Sequence, residues 1–141
     1  MDEPPPKNPA HPNLPKPPLG QTKVVRWKST ESIEVEGLLT YPVNYEKGKR
    51  YPLLLVIHGG PMGVFTEGFD GNPGTYPVAS FAAKGYAVLR PNPRGSSGYG
   101  MKYMKQVDHD WGGKDMLDHI EGLKMLKKDP RIDSSRQGVI G

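Results

Sequence analysis

Three kinds of residue in this chain sit at spacings that could do chemistry: the run His58-Gly59-Gly60-Pro61, the serines of Gly95-Ser96-Ser97-Gly98, and the histidines and acids between Asp108 and His119. The first offers backbone rather than side-chain chemistry. Two glycines let the main chain come close to a substrate and aim N–H groups at a developing negative charge, while Pro61 stiffens the exit. The spacing alone fits an oxyanion loop and a plain tight turn after a strand equally well.

The other candidates are weaker. Gly95 to Lys102 (GSSGYGMK) carries two glycines at the phosphate-loop interval, but Met101 stands where the lysine belongs. A nucleophile elbow needs glycine two residues either side of the serine, and Ser97 has Gly95 before it but Tyr99 after it. His109 and His119 are ten apart across Gly112-Gly113, without the i, i+4 spacing that puts two ligands on one helical face, so surface or capping roles are expected for them and for Asp108, Asp110 and Asp115. No metal or other cofactor is expected.

The elements that must position these residues follow from the apolar pattern. Tyr51 to Pro61 (YPLLLVIHGGP) holds five consecutive apolar residues, Leu53 to Ile57, which suits a strand buried on both faces of a parallel sheet. A buried helix segment is the competing reading, but Pro52 at its start and Gly59-Gly60-Pro61 at its end argue against it. In open α/β sheets, ligand and catalytic groups collect at the carboxyl ends of strands, which is where His58, Gly59 and Gly60 fall.

Before that strand, Thr22 to Lys28 and Ile33 to Tyr41 read as an antiparallel pair at a sheet edge, joined by Ser29 to Ser32. After it, Met62 to Gly74 is irregular and glycine-rich. Thr75 is placed to cap a helix with Val78, Phe81 and Ala82 on one face and Gly85 as its stop. Tyr86 to Arg90 is a second buried strand emptying into Pro91 to Gly100. A further helix is expected from about Gly113 to Lys127, burying Met116, Leu117, Ile120, Leu123 and Leu126, with Asp115 and Lys127, Lys128 suiting the helix dipole. Arg136 to Gly141 begins a third strand. Strand, helix, strand, helix, strand is a parallel α/β arrangement with right-handed crossovers.

Composition narrows the function classes. The 141 residues have the length of one ordinary domain. The hydrophobic share is 35%, low because eight of the sixteen prolines fall in the first eighteen residues. Residues 1–20 read as a proline-rich linker or arm, with Pro6, Pro9, Pro12, Pro15 and Pro18 along one edge of a polyproline II helix. A stiff spacer is the plainer reading and a ligand for a proline-binding domain the sharper one. The net charge of +4 is scattered, without the basic stripe of a nucleic-acid binder. With no cysteine, disulfides, thiolate metal sites and a cysteine nucleophile are excluded. No stretch approaches the roughly 20 apolar residues of a membrane span, no signal-peptide centre is present, and the compartment stays open.

Several segments together resemble the prolyl oligopeptidase family of serine peptidases, and within it the acylaminoacyl peptidase and dipeptidyl aminopeptidase branch. They are YPLLLVIHGGP, ASFAAKGYAVLRPNPRGSSGYG, DWGGKDMLDHIEGL and DPRIDSSRQGVIG, in the family's order. The resemblance implies an α/β-hydrolase fold for residues 21–141: its N-terminal part, mostly parallel with an antiparallel pair in front, ending before the nucleophile elbow. It implies peptide substrates in the complete enzyme, a Ser, Asp, His triad working through an acyl-enzyme, and a β-propeller domain upstream. It assigns one oxyanion donor to the N–H of Gly60, with Gly59 and His58 shaping the turn, Pro61 supporting it, and Arg94 hydrogen-bonding loops around the site.

Gly141 corresponds to the first glycine of G-x-S-x-G, so the resemblance places all three triad residues beyond it. No catalytic side chain is therefore assigned here. This chain alone is expected to be inactive and poorly soluble, its last strand exposing an apolar edge. An esterase on the same fold and a non-catalytic interaction protein using the proline-rich arm are the alternatives.

Overall fold

The computed structural model describes residues 18–60, 62–69 and 75–141. The proline periodicity from Pro6 to Pro15 and the supporting residue Pro61 lie outside the described residues.

Five strands form one mixed sheet: β1 (Thr22–Lys28), β2 (Glu34–Thr40), β3 (Tyr51–Val56), β4 (Ala87–Asn92) and β5 (Ile132–Ile140), in spatial order β1-β2-β4-β3-β5. The β1–β2 pair is antiparallel, as expected of two β-rich segments joined by a short link, and β2 also joins β4 antiparallel. The β3–β4 and β3–β5 pairings are parallel. The strand that organises the sequence is thus flanked on both sides. β5 slips register against it between Pro52 and Leu53, where the Asp133 carboxylate ties back Ser135 and Arg136.

Alternation along β3 divides the core. Leu53 and Leu55 pack with Trp27, Val35, Leu39, Ala87, Leu89, Leu126 and Ile132 on one face. Leu54 and Val56 pack with Val78 and Val88 on the other, joined by Phe65, Tyr76 and Phe81. Helix α3 (Lys114–Lys127) covers the first face and α1 (Val78–Ala83) the second. A strand buried on both sides needs apolar residues at every position, which is why the YPLLLVI run is unbroken.

Three local expectations are corrected. Thr75 does not cap α1: Pro77 is the N-cap residue and no side chain caps the first turn. Proline brings no N–H needing a partner and its ring presets φ, so the helix starts directly after it. β4 runs two residues past Arg90, through Pro91 to Asn92, with Pro91 opposite Gly37 and Asn92 opposite Glu36 on β2.

The largest correction concerns α3. Its buried residues are Asp118, His119, Gly122 and Leu126, while Met116, Leu117 and Ile120 are exposed. Leu123 is only partly buried against the core. Two interactions rotate the helix onto this polar face. Trp27 Nε1 donates to the Asp118 carbonyl at 2.9 Å and lays its ring against Gly122, and Asp118 meets a buried arginine. A short helix α2 (Met101–Met104) and a 3-10 turn at Lys105–Val107 precede α3.

Candidate functional site

β3 lets go of its neighbours at His58. The N–H of Ile57 still donates to Ile140 at 2.9 Å, and the chain then turns through Gly59 and Gly60, both exposed. Among the described residues, the N–H groups of Gly59 and Gly60 meet no protein acceptor. Gly60 has φ of +120°, and a Cβ there would stand 2.9 Å from the Gly63 nitrogen. That conformation and that approach both require glycine. N–H groups without an acceptor among the described residues, in an exposed turn at the end of a parallel strand, are what an anion or a developing oxyanion would meet.

The turn is held from beneath by its own histidine. Continuing the alternation of β3, His58 falls on the α1 face, where its ring packs edge-on to Phe65 with centroids 5.2 Å apart. Nδ1 lies 3.2 Å from the Gly59 carbonyl and Nε2 lies 3.0 Å from Ser96 Oγ. Burial holds the His58 pKa below its ordinary value, so the ring is neutral at pH 7.

The loop after β4 is stitched to the turn after β3 at several further points. Ser97 donates its N–H to Gly63 at 3.2 Å and its hydroxyl to the Met62 carbonyl. The Asn92 side chain, fully buried, clamps Phe65 by accepting its N–H and donating to its carbonyl, both at 2.8 Å. The two serines weighed as nucleophiles are thereby committed elsewhere, and Ser96 has no exposure at all.

Arg94 lies under the same loop, also fully buried. Its backbone N–H and Nε donate to Asp118 Oδ2 at 2.8 and 2.9 Å, and Nη2 donates to Oδ1 at 2.7 Å. Nη1 reaches Glu31 at 3.1 Å and Nη2 reaches Thr30 Oγ1 at 2.8 Å. Arg94 therefore joins the end of β4, helix α3 and the 3-10 turn Thr30–Ser32. That turn needs the help, since Glu31 and Ser32 are consecutive non-glycine residues at φ of +59° and +58°, an arrangement costing about 1–2 kcal/mol per residue.

The residues between Asp108 and His119 separate. His109 occupies a left-handed turn, Asp110 accepts the Lys114 N–H at the start of α3, and His119 is buried on that helix with Nδ1 unpartnered. Among the described residues no group of three His, Cys, Asp or Glu converges as metal ligands would, and no helix is long and apolar enough to cross a membrane.

Sequence reasoning singled out the turn and Arg94 but missed the partners that hold them: Ser96, Asn92, Asp118 and Glu31. The signal available was positional. Polar residues crowd the segment straight after β4, the strand beside β3, and in a parallel sheet adjacent strands deliver their following loops to the same end.

Most of this chain is similar to known proteins. The profile of the prolyl oligopeptidase family matches residues 75–141. The uncharacterized peptidase YuxL of Bacillus subtilis is 39% identical over 118 residues, covering 83% of this chain and 17% of its own length. Dipeptidyl-peptidase 5 of Porphyromonas gingivalis is 31% identical over 117 residues, again 17% of that protein. Among solved structures, acylaminoacyl peptidase of Pyrococcus horikoshii superposes with a TM-score of 0.74 at 30% identity, covering 86% of this chain and 19% of that one. The chain thus spans less than one fifth of the length of the relatives it matches.

Proposed function

Because this chain belongs to the prolyl oligopeptidase family of serine peptidases, we propose that residues 21–141 form the first part of an α/β-hydrolase catalytic domain that cleaves short peptides or amino-terminal residues through an acyl-enzyme. In this reading the Gly60 N–H is one of two oxyanion donors. When a serine attacks the scissile carbonyl, its proton passes to a histidine, and the carbonyl oxygen gains the charge that Gly60 stabilises. The amine then leaves with the histidine's proton, and water releases the acyl group. Gly59 and His58 shape the turn, Pro61 stiffens it, and Arg94 braces the loop beside it.

The observation that carries this reading is the exposed Gly60 turn at the end of β3, whose N–H meets no acceptor among the described residues. The serine, aspartate and histidine of the triad belong to parts of the domain other than these residues. The 141-residue chain by itself is accordingly expected to turn over no peptide.

The test is Gly60→Ala in a protein carrying these residues together with a nucleophile elbow. The expected result is a fall in kcat of about 100-fold with KM little changed, the loss seen when an oxyanion donor is displaced. Gly48→Ala is the control: φ there is also positive, at +88°, with open space around the missing Cβ. Equal kcat losses in the two variants, or an unimpaired Gly60→Ala, would refute the assignment.

A further inference from the structure

We propose that Ser96 is a positioning residue for the Gly59–Gly60 turn: its hydroxyl donates to His58 Nε2 and so holds the ring in the tautomer that carries its proton on Nδ1, where it binds the Gly59 carbonyl. The proposal rests on reading that turn as an oxyanion loop.

Donor and acceptor arithmetic supports it. A carbonyl oxygen can only accept, so the 3.2 Å contact between His58 Nδ1 and Gly59 O requires the proton on Nδ1. In a neutral ring Nε2 is then an acceptor, and Ser96 Oγ at 3.0 Å must be the donor. Protonating the ring would satisfy Gly59 equally well, but burial opposes the charge.

The hydroxyl stands on a firm base. Ser96 is fully buried, its N–H donates to the Pro93 carbonyl at 3.0 Å, and its neighbour Arg94 is locked by Asp118. There is little slack on the other side of the ring, since a Cβ on Gly63 would come within 2.7 Å of His58 Nδ1 and 2.5 Å of Gly59 O. A ring that rotated or changed tautomer would release the Gly59 carbonyl, and with it the peptide plane that carries the Gly60 N–H. Ser96 thus sets the aim of a donor it does not touch, from a loop that follows a different strand.

Nitrogen-15 NMR of the His58 ring tests this in a protein that carries these residues together with a nucleophile elbow. The wild-type protein is expected to show the Nδ1–H tautomer, Ser96→Ala to shift towards Nε2–H, and Ser96→Thr, which keeps the hydroxyl, to retain the wild-type pattern. A wild-type ring protonated on Nε2 would overturn the proposal without any variant, and so would an unchanged tautomer in Ser96→Ala. In a protein completed by an elbow, Ser96→Ala is expected to lower kcat about tenfold with KM within twofold, as a slightly misaimed group does. An unaltered kcat alongside an altered tautomer would also overturn it. Absence of peptide hydrolysis in that wild-type protein would sink the peptidase reading instead, with the ring spectra still deciding what Ser96 does to His58.

Discussion

Arg94 and Asp118 face each other with neither side chain exposed at all, the guanidinium giving Nη2 to Oδ1 at 2.7 Å and Nε to Oδ2 at 2.9 Å. The carboxylate also accepts the Arg94 backbone N–H, so both of its oxygens are occupied. A buried pair of this kind adds little over an apolar pair of the same shape, but removing one member strands the other. Its structural consequence here is that α3 is docked by a charge on the β4 loop and not by its most apolar face.

Removing either partner should therefore be severe. Asp118→Ala leaves a buried cation with only Glu31 and Thr30 to meet it, and about 3–5 kcal/mol of stability should be lost in chemical denaturation. Arg94→Met with Asp118→Leu should recover a large part of that loss. Equal destabilisation in the single and double variants would mean that the pair is not the source of the cost.

Substitutions on the two faces of helix α3 should differ sharply in cost. Gly122→Ala would ordinarily stabilise a helix interior by about 1 kcal/mol. Here the new Cβ would stand 2.8 Å from the Trp27 ring, so a net loss of about 1–3 kcal/mol is expected from overpacking. Leu126→Ala should cost about 2–5 kcal/mol. Met116→Lys, at a position the apolar pattern assigns to the core but which is 54% exposed, should change stability by no more than about 0.5 kcal/mol. Urea midpoints for the three variants decide whether the helix sits on this face.

Stability should also fall with acid in a defined window. Burial lowers the pKa of both His58 and His119 below the ordinary 6.5. The unfolded chain then binds protons more readily than the folded one as pH drops. The stabilisation is fully present above about pH 6.5 and is lost progressively as pH falls towards the folded-state values. The carboxylates held low by ion pairs, Asp129 and Glu31, titrate below this window. His119→Leu, which removes a buried nitrogen without a partner, should flatten the dependence of Tm on pH between 7 and 5, and an unchanged slope would assign the titration elsewhere.

The apolar run, the glycine pair after it and the β-rich composition of the first two segments with the short link between them determined by themselves that β3 is a doubly buried strand ending in a turn, and that β1 and β2 pair in front of it. Those features are local: each depends on residue types within one or two elements, where periodicity and the special geometry of glycine and proline act directly. The spacing of the glycines also marked Gly59 and Gly60 as residues to watch.

Only the tertiary structure decided which face of α3 is inside and what holds the turn. Met116, Leu117 and Ile120 form an apolar stripe by spacing, yet Asp118 and Gly122 are buried instead, because an arginine 24 residues earlier and a tryptophan from β1 supply partners no helical pattern encodes. The same holds for His58 and Ser96, which are 38 residues apart. Parallel strands bring their following loops to one end of the sheet, and a hydroxyl that reads as a failed nucleophile in sequence becomes, in space, the support of a neighbouring strand's turn.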